Sequence, residues 1–451
     1  MRRCWASGAG VLLVSASACL SSADLSGSPP PDNKAPLPAA PTCNADLKTD
    51  VGNCGQCGKV CGNHANAYGV CKDGKCGVGC NTGFGDCNGN ADDGCEATLA
   101  SDSIHCGACG HSCLGARCVA GQCQPVTLGE IPGTISGLVG DATALYYGYS
   151  GGASNHAIGT MSKDGAKAHV DVVNGLTEYV YSLAVNATDF FWLKYDSATA
   201  GNPSNGAIYK SSKTVPANAP APWLAGLNVS GATPVLVGDT AIFYHTTYAP
   251  VPGTIVRAQL ANGAKSSVAV NLKGGPLALV MDASFVYYAL AGDSGASFAG
   301  RGMYRCATSG CGTGTLIDGV PTDRNFYYVA QDAQYLYFTV SSRGIGRVKK
   351  GGGDYAVLTS PDDSPRSIDQ VVSDGTRLYW IEHHYANGPS GSDEYFVRTC
   401  PLAACADAAV DIAVRGRPIG LVVDDKALYI GTNATTNSGG ATSGIVMRVV
   451  K

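Results

Sequence analysis

Charged residues are scarce in this sequence, and long apolar runs are missing from it. Asp, Glu, Lys and Arg make up 15% of the 451 residues, and the net charge is -4. A slightly acidic chain is a poor partner for a phosphate backbone, so we expect no nucleic-acid binding. The apolar stretch around Val11 to Val14 is too short to span a bilayer, and no other segment is long enough.

Sequence motifs of common enzymes are also missing. No Gly-x-Ser-x-Gly elbow, Walker loop or dinucleotide fingerprint occurs in a suitable setting. The eight histidines never take the HxxxH or HExxH spacing of a zinc site. These absences favour a non-enzymatic protein with no catalytic residues and no organic cofactor.

Glycine and tyrosine are abundant instead, with 60 and 22 residues. Charged helix-forming residues are few, so this composition favours short strands joined by tight turns over helical bundles. We therefore predict an all-β protein.

The N-terminus is typical of an export signal. Two arginines, a short apolar run and small residues before Cys19 predict a signal peptide over residues 1–18. Small residues directly before a cysteine resemble the bacterial lipobox, although Ala16 replaces its usual leucine. We predict that Cys19 is lipidated and anchors the protein to a membrane. Because Cys4 leaves with the signal and Cys19 carries the lipid, 18 of the 20 cysteines remain to pair. The alternative is a free or intermolecular Cys19.

The mature chain divides by composition into a tether, a cysteine-rich module and a large repeat domain. Residues 19–42 are rich in Ser, Pro and Ala and predict a flexible linker after the lipidated cysteine. Residues 43–124 contain 14 cysteines, and residues 125–451 form the repeat domain. The cysteines form two matching arrays, Cys43-x10-Cys54-x2-Cys57-x3-Cys61-x9-Cys71-x4-Cys76 and Cys95-x10-Cys106-x2-Cys109-x3-Cys113-x4-Cys118-x4-Cys123.

The matching spacings indicate a duplicated unit. Behind a signal sequence, and with few apolar residues nearby, these cysteines predict disulfides rather than zinc ligands. Cys80 and Cys87 lie between the arrays and are expected to link them. Spacing alone does not determine which cysteine pairs with which.

Seven copies of one pattern follow, in which an apolar strand ends at Asp or Asn and an apolar-aromatic strand begins three residues later. The copies are LVGDATALYYG, LAVNATDFFWL, LVGDTAIFYH, LVMDASFVYYA, VAQDAQYLYFT, VVSDGTRLYWI and LVVDDKALYIG. Their spacing is close to one four-stranded propeller blade. We therefore predict a seven-bladed β-propeller.

The last unit lacks a fourth strand of its own. It ends with Ile445–Val449, whereas Val126–Ile131 stands before the first unit as a spare strand. We predict that this N-terminal segment completes the last blade and closes the ring, which removes exposed sheet edges.

Several residues have predicted structural roles in the blades. The acids or amides at the strand turns are expected to accept turn N–H bonds; they are Asp141, Asn186, Asp239, Asp282, Asp332, Asp374 and Asp424. Two short Cys-x4-Cys pairs are expected to form local disulfides that clasp hairpins; they are Cys306 with Cys311 and Cys400 with Cys405.

One loop in the cysteine-rich module is a calcium candidate. Asp86, Asn88, Asn90 and Asp92 match the first four ligand positions of a calcium loop. The match then fails, because the turn glycine and the final bidentate glutamate are missing. The alternative is a solvated turn rich in Asp and Asn.

Long polar loops join the second and third strands of several units. In a propeller these loops share a face with the inter-blade connections, where ligands usually bind. Aromatic and imidazole groups there suit a sugar or a peptide. The ligand-binding candidates are Tyr149, Tyr195, His245, Tyr248, His383, His384 and Tyr385. The alternative is that they are ordinary loop residues.

The strand pairs resemble the blades of YWTD-type and TolB-like β-propellers, and Leu378–Glu382 (LYWIE) matches them best. The module, with GFGDCNGNADDGCE at Gly83–Glu96, is similar to cysteine-rich surface lipoproteins of myxobacteria. The resemblance implies an outer-membrane-anchored or extracellular surface protein, but no particular chemistry.

Three functional hypotheses follow. The first is a lipid-anchored surface protein whose propeller binds an extracellular protein or polysaccharide without enzymatic activity. The second is a propeller-type lyase or hydrolase acting on an extracellular polymer, with His245 and His383 or His384 converging near a carboxylate. The third is a periplasmic envelope scaffold of the TolB-like kind.

Overall fold

The computed structural model describes residues 44–451 with short gaps. The gaps are 153–154, 196–205, 215–216, 219, 230–232, 249–250, 293–298, 324, 341–343, 360–365, 386–392, 406–409 and 435–442. Every regular element in the described residues is a strand, and none of these residues forms an apolar helix able to cross a membrane. Cys19 and Cys43 lie outside the described residues.

By internal contacts the chain divides into two compact units. The described part of the first consists of residues 44–62 and Gly69–Gly77. The second consists of Asn63–Tyr68 and Val78–Lys451, so it contains the second cysteine array together with the whole repeat domain.

Disulfides pair in the same way in both cysteine arrays. The second cysteine of each array pairs with the fifth, and the fourth with the sixth: Cys54–Cys71, Cys61–Cys76, Cys106–Cys118 and Cys113–Cys123. Cys80 and Cys87 were expected to link the arrays, but they pair with Cys95 and Cys109, both in the second array.

In its described part, the cysteine-rich region forms short two-stranded sheets, and disulfides take the place of a large core. Its strands pair β1 with β2, β3 with β4 and β5 with β6: β1 (Ala67–Lys72), β2 (Lys75–Cys80), β3 (Phe84–Gly85), β4 (Ala97–Thr98), β5 (Cys118–Val119) and β6 (Gln122–Cys123).

Seven sheets follow, which confirms the predicted seven-bladed propeller. The strand before the first blade is β7 (Val126–Ile131). Blade 1 contains β8 (Thr134–Gly140), β9 (Ala144–Ser150), β10 (His156–Ser162) and β11 (Val170–Leu176). Blade 2 contains β12 (Ser182–Val185), β13 (Asp189–Tyr195), β14 (Gly206–Ser212) and β16 (Pro222–Leu227), and the short β15 (Ala217–Asn218) before β16 pairs with β11 of blade 1. Blade 3 contains β17 (Leu236–Val237), β18 (Ala241–Tyr248), β19 (Val251–Gln259) and β20 (Lys265–Leu272).

Blades 4 to 7 repeat the same antiparallel order. Blade 4 contains β21 (Pro276–Met281), β22 (Phe285–Leu290), β23 (Gly302–Ala307) and β24 (Thr315–Leu316), and blade 5 contains β25 (Phe326–Gln331), β26 (Tyr335–Val340), β27 (Gly344–Lys349) and β28 (Ala356–Val357). Blade 6 contains β29 (Arg366–Ser373), β30 (Arg377–His384), β31 (Glu394–Pro401) and β32 (Val410–Ile412). Blade 7 contains β33 (Arg417–Val423), β34 (Ala427–Asn433) and β35 (Gly444–Val450).

The fourth strand of blade 7 is β7, which confirms closure by the N-terminal segment. It pairs antiparallel with β35 from Gly444 opposite Ile131 to Arg448 opposite Val126. Ile131 is 1% exposed and packs into a cluster with side chains of blades 1 and 7. The two ends of the repeat domain therefore share one sheet and one core layer.

The core consists of layers between neighbouring blades. In one such layer, Tyr287 and Ala289 of blade 4 pack with Phe326, Leu336 and Phe338 of blade 5. The alternation of the second strands produces these layers, because successive side chains face opposite neighbours.

Candidate functional site

Five of the six predicted aspartates, and the asparagine, cap their strand turns as predicted. In blade 1, Asp141 Oδ1 accepts the N–H groups of Thr143 and Ala144 at 2.8 and 2.9 Å. The same pair of bonds forms at Asn186, Asp282, Asp332, Asp374 and Asp424. These side chains are committed to turns around the ring, which leaves no converging catalytic pair among them.

Blade 3 departs from this pattern, and the prediction for Asp239 is wrong. In the other blades the backbone N–H of the turn Asp or Asn donates to the carbonyl oxygen three residues later. In blade 3 the N–H of Gly238 makes this bond, to Ala241 O at 2.9 Å. The third copy is one residue shorter after its aspartate, so a residue without a side chain takes the capping position.

A lysine from the following blade binds several of these aspartates. Lys213 Nζ lies 2.7 Å from Asp141 Oδ2, which also accepts the Tyr146 hydroxyl at 2.8 Å. Burial opposes ionisation of Asp141, but these bonds and the turn amides outweigh it and lower its pKa. The equivalent lysine pairs are Lys163 with Asp424, Lys350 with Asp282 and Lys451 with Asp374. These lysines and aspartates therefore link neighbouring blades and have a structural role.

The loop face is the end of the ring where the second strand of each blade ends and the third begins, as at His384 and Glu394 in blade 6. Two predicted ligand residues near this face are buried. Tyr149 is 4% exposed and donates its hydroxyl to Asp171 at 2.7 Å. His245 is 3% exposed within β18, and burial lowers its pKa to about 4, so it is neutral at physiological pH.

His383, His384 and Tyr385 lie at the loop face of blade 6. The His383 ring stacks on Tyr395 and packs against Tyr385, with both centroid distances at 4.3 Å. His383 Nε2 is 3.0 Å from Asp393 Oδ2, close enough for an ion pair but not aligned for a hydrogen bond. Arg417 of blade 7 lies over the Tyr395 ring at 5.1 Å. This group combines flat rings with charged hydrogen-bonding groups.

His384 faces the other side of its strand. Its Nε2 lies 2.7 Å from Oε1 of the buried Glu382. Glu382 Oε2 accepts a hydrogen bond from Trp380 Nε1 at 3.1 Å, and Arg398 Nη1 lies 3.4 Å from Glu382 Oε1. Among the described contacts, no hydrogen bond, ion pair or ring contact joins His245 to His383 or His384. The three histidines therefore do not form the convergent group that the enzyme hypothesis requires.

Sequence reasoning missed the most exposed aromatic residues of the loop face. Tyr179 and Tyr181 precede β12, and Tyr327 and Tyr328 lie at the loop-face end of β25. Together with Tyr385 they are between 37% and 50% exposed. We call these five residues the face tyrosines. Their signal in the sequence is a pair of tyrosines at the start of an inner strand, in EYVYS and NFYYV.

Two of the face tyrosines line a central cavity, and two others belong to an aromatic group on blades 1 and 2. Tyr327 and Tyr328 line a cavity of about 600 Å³ whose other walls are inner strands of several blades. Across blades 1 and 2, the His156 ring lies 4.4 Å from Tyr179, while Tyr181 lies 6.3 Å from Tyr179 and 6.2 Å from Tyr195. Tyr195 thus lies in this group. Tyr248 ends β18, and its side chain is outside the described part.

The calcium candidate is a network of hydrogen-bonded turns. Oxygens of Asp86, Asn88 and Asn90 each accept a backbone N–H two or three residues later, at 2.8, 2.7 and 3.3 Å. Glu96 Oε1 accepts two further N–H bonds, both at 3.0 Å. These contacts fit the solvated-turn alternative, and calcium at Asp86, Asn88, Asn90 and Asp92 stays a prediction.

Among the described residues, two groups of three cysteines bring their sulfur atoms close enough together to share a metal ion. All six of these cysteines are in disulfides, whose sulfurs are not thiolate ligands. In the propeller, Cys306 pairs with Cys311 and Cys400 with Cys405, each beside a third strand. Cys311 N also bonds Val268 O of blade 3, so this clasp reaches its neighbour.

No protein-family model matches the chain, and no curated protein matches it. Among solved structures, the computationally designed Ika8 protein is 12% identical with a TM-score of 0.43, over 72% of this chain and 99% of that one. The WD40 β-propeller domain of Doa1 is 11% identical with a TM-score of 0.46, over 71% and 95%. The extracellular domain of a hybrid two-component system from B. thetaiotaomicron is 10% identical with a TM-score of 0.41, over 70% of this chain and 38% of that one. No family or activity follows from similarities this low.

Proposed function

We propose that this chain is an exported, lipid-anchored surface protein whose propeller binds an extracellular ligand through its loop face without enzymatic activity. The observation that carries the proposal is the exposure of the five face tyrosines at one end of the ring. Exposed rings on a rigid scaffold provide contact area at low entropic cost, as in recognition surfaces. The disulfides support export, since such bonds persist in oxidising compartments.

Binding fits the site better than catalysis does. The carboxylate nearest His384 belongs to the buried Glu382, which is held by bonds from Trp380 and His384. A general acid or base needs a group within hydrogen-bond reach of a substrate atom and a pKa matched to its task. His245, which the enzyme hypothesis requires, is buried and neutral.

Replacing Cys19 with alanine is expected to move the protein from the detergent phase to the aqueous phase in a Triton X-114 separation. Loss of the acyl chains removes about 0.8 kcal/mol of membrane affinity per buried methylene. The matched control is Cys4→Ala, which leaves the anchoring cysteine in place and keeps the protein in the detergent phase. Equal partitioning of the two variants would show that Cys19 is not the anchor.

Protease treatment of intact cells separates the surface protein from the periplasmic scaffold. The surface hypothesis predicts cleavage of the chain while a periplasmic marker stays intact. Complete protection of the chain until the outer membrane is opened would favour the scaffold.

A further inference from the structure

We propose that the face tyrosines bind a polysaccharide, with sugar rings stacked on the exposed tyrosine rings and hydroxyl groups bonded to neighbouring charged side chains. This inference rests on the proposed function, because it names the class of ligand for the same surface.

Large apolar side chains are sorted by position on the propeller. In its described part, the exposed aliphatic ones are Val170, Leu316 and Val357, all on fourth strands at the outer rim. The exposed aromatic ones are the face tyrosines, all near the loop face. A surface that buries apolar peptide side chains would present aliphatic groups as well. In the described part of the loop face, the exposed large apolar side chains are all tyrosines, which suits a ligand with flat C–H surfaces and many hydroxyls, as sugars have.

Hydrogen-bonding groups of blades 6 and 7 lie beside the rings of blades 5 and 6. Burial is the main cause of the raised pKa values of Tyr328 and Tyr395, and the Asp369 carboxylate lies close enough to both to raise them further. Asp369 accepts a hydrogen bond from Ser367 Oγ at 2.8 Å. Asp393 and Arg417 are exposed beside Tyr395. Carboxylates and guanidinium groups offer several acceptors and donors in fixed directions, which is what vicinal hydroxyls require.

The rings form two groups on the same face, which favours a polymer over a single sugar. One group, on blades 5 and 6, contains Tyr327, Tyr328 and Tyr385; the other, on blade 2, contains Tyr179 and Tyr181. A chain that reaches both groups gains affinity by making the second contact intramolecular. Nucleic acid, another stacking polymer, is disfavoured by the net charge of -4 and the carboxylates beside the rings.

The test is affinity gel electrophoresis of the full chain in native gels containing hydroxyethyl cellulose, xylan, pullulan, mannan or polygalacturonate. At least one polysaccharide is expected to retard the chain. Replacing both Tyr328 and Tyr385 with alanine is expected to raise the Kd by about tenfold or more, given the usual contribution of aromatic contacts. The rim variant Leu316→Ala should migrate like the wild type.

Two results would overturn the polysaccharide proposal: no retardation in any gel, or retardation that the double alanine variant keeps. A parallel arm measures binding to a random peptide library. Peptide binding that the tyrosine variants lose, without any polysaccharide binding, would disprove the ligand class but keep the loop face as the recognition surface. No effect of the variants in either arm would remove both proposals. Melting temperatures of the variants near that of the wild type exclude misfolding as the cause.

Discussion

Replacing Ile131 with aspartate is expected to unfold the propeller at neutral pH. Ile131 belongs to the closing strand β7, is 1% exposed, and packs with Leu138 and Tyr147 of blade 1 and with Tyr429 of blade 7. A carboxylate there would be buried without a partner and would also remove a core side chain. We expect a loss of more than about 4 kcal/mol, a large part of the stability of a typical domain. Urea unfolding followed by circular dichroism measures it.

The matched control is Glu130→Gln, on the same strand. Glu130 is exposed, so its replacement should change the free energy of unfolding by less than about 0.5 kcal/mol. If both variants unfold at the urea concentration of the wild type, β7 does not contribute to the core, and the ring is not closed by it.

Replacing Asp374 with alanine is expected to cost about 3–5 kcal/mol, as for other broken buried ion pairs. The Asp374 side chain is 4% exposed, and its Oδ2 accepts Lys451 Nζ at 2.8 Å and the Tyr379 hydroxyl at 3.1 Å. Its Oδ1 caps the turn at Thr376 and Arg377. The substitution therefore removes the turn cap and leaves a lysine without its carboxylate. Thermal unfolding compares the variant with the wild type.

Asp332→Ala is the control that isolates the lysine. Asp332 makes the same turn bonds and accepts the Tyr337 hydroxyl at 2.6 Å, but Leu402 occupies the position of the lysine in the following blade. Its loss should cost about 1–2 kcal/mol, as for a turn or helix cap. Equal losses in the two variants would show that the lysine contributes nothing.

The contribution of Asp374 also has a predicted pH dependence. Burial opposes its ionisation, but the bonds from Lys451, Thr376 and Arg377 outweigh burial and lower its pKa in the folded state. A carboxyl with a lowered folded pKa stabilises the protein above its unfolded pKa, near 4, and loses that contribution as the pH falls through the folded value. The difference in stability between wild type and Asp374→Ala is therefore constant at neutral pH and narrows below about pH 4.

The architecture could be predicted because each blade repeats a local pattern. The turn between two apolar strands is capped by an Asp or Asn that bonds residues only two or three positions later, as Asp141 does. The closing strand was predictable by subtraction, since the last unit lacked an outer strand and Val126–Ile131 was spare. The lysine links were missed because each lysine comes from a different blade than its aspartate.

The candidate site was less predictable because side-chain direction decides it. Tyr149 and His245 were assigned to exposed loops, but both lie within second strands, β9 and β18, and are buried. Conversely, Tyr327 and Tyr328 lie at an irregularity in the pairing of β25, where their strand departs from regular alternation. An irregular register of this kind depends on tertiary contacts, which the tyrosine pair in the sequence does not indicate.

The central claim is that the loop face recognises a ligand outside the cell. The most direct measurement is tyrosine modification by a membrane-impermeant reagent, mapped by mass spectrometry on intact cells and on the purified chain. Tyr68, which is 52% exposed and lies outside the propeller, reports access of the reagent. We expect Tyr68 to be modified in both samples, and the face tyrosines to be modified in the purified chain but protected on cells. Equal modification of the face tyrosines in both samples, or no modification of Tyr68 on cells, would contradict the claim.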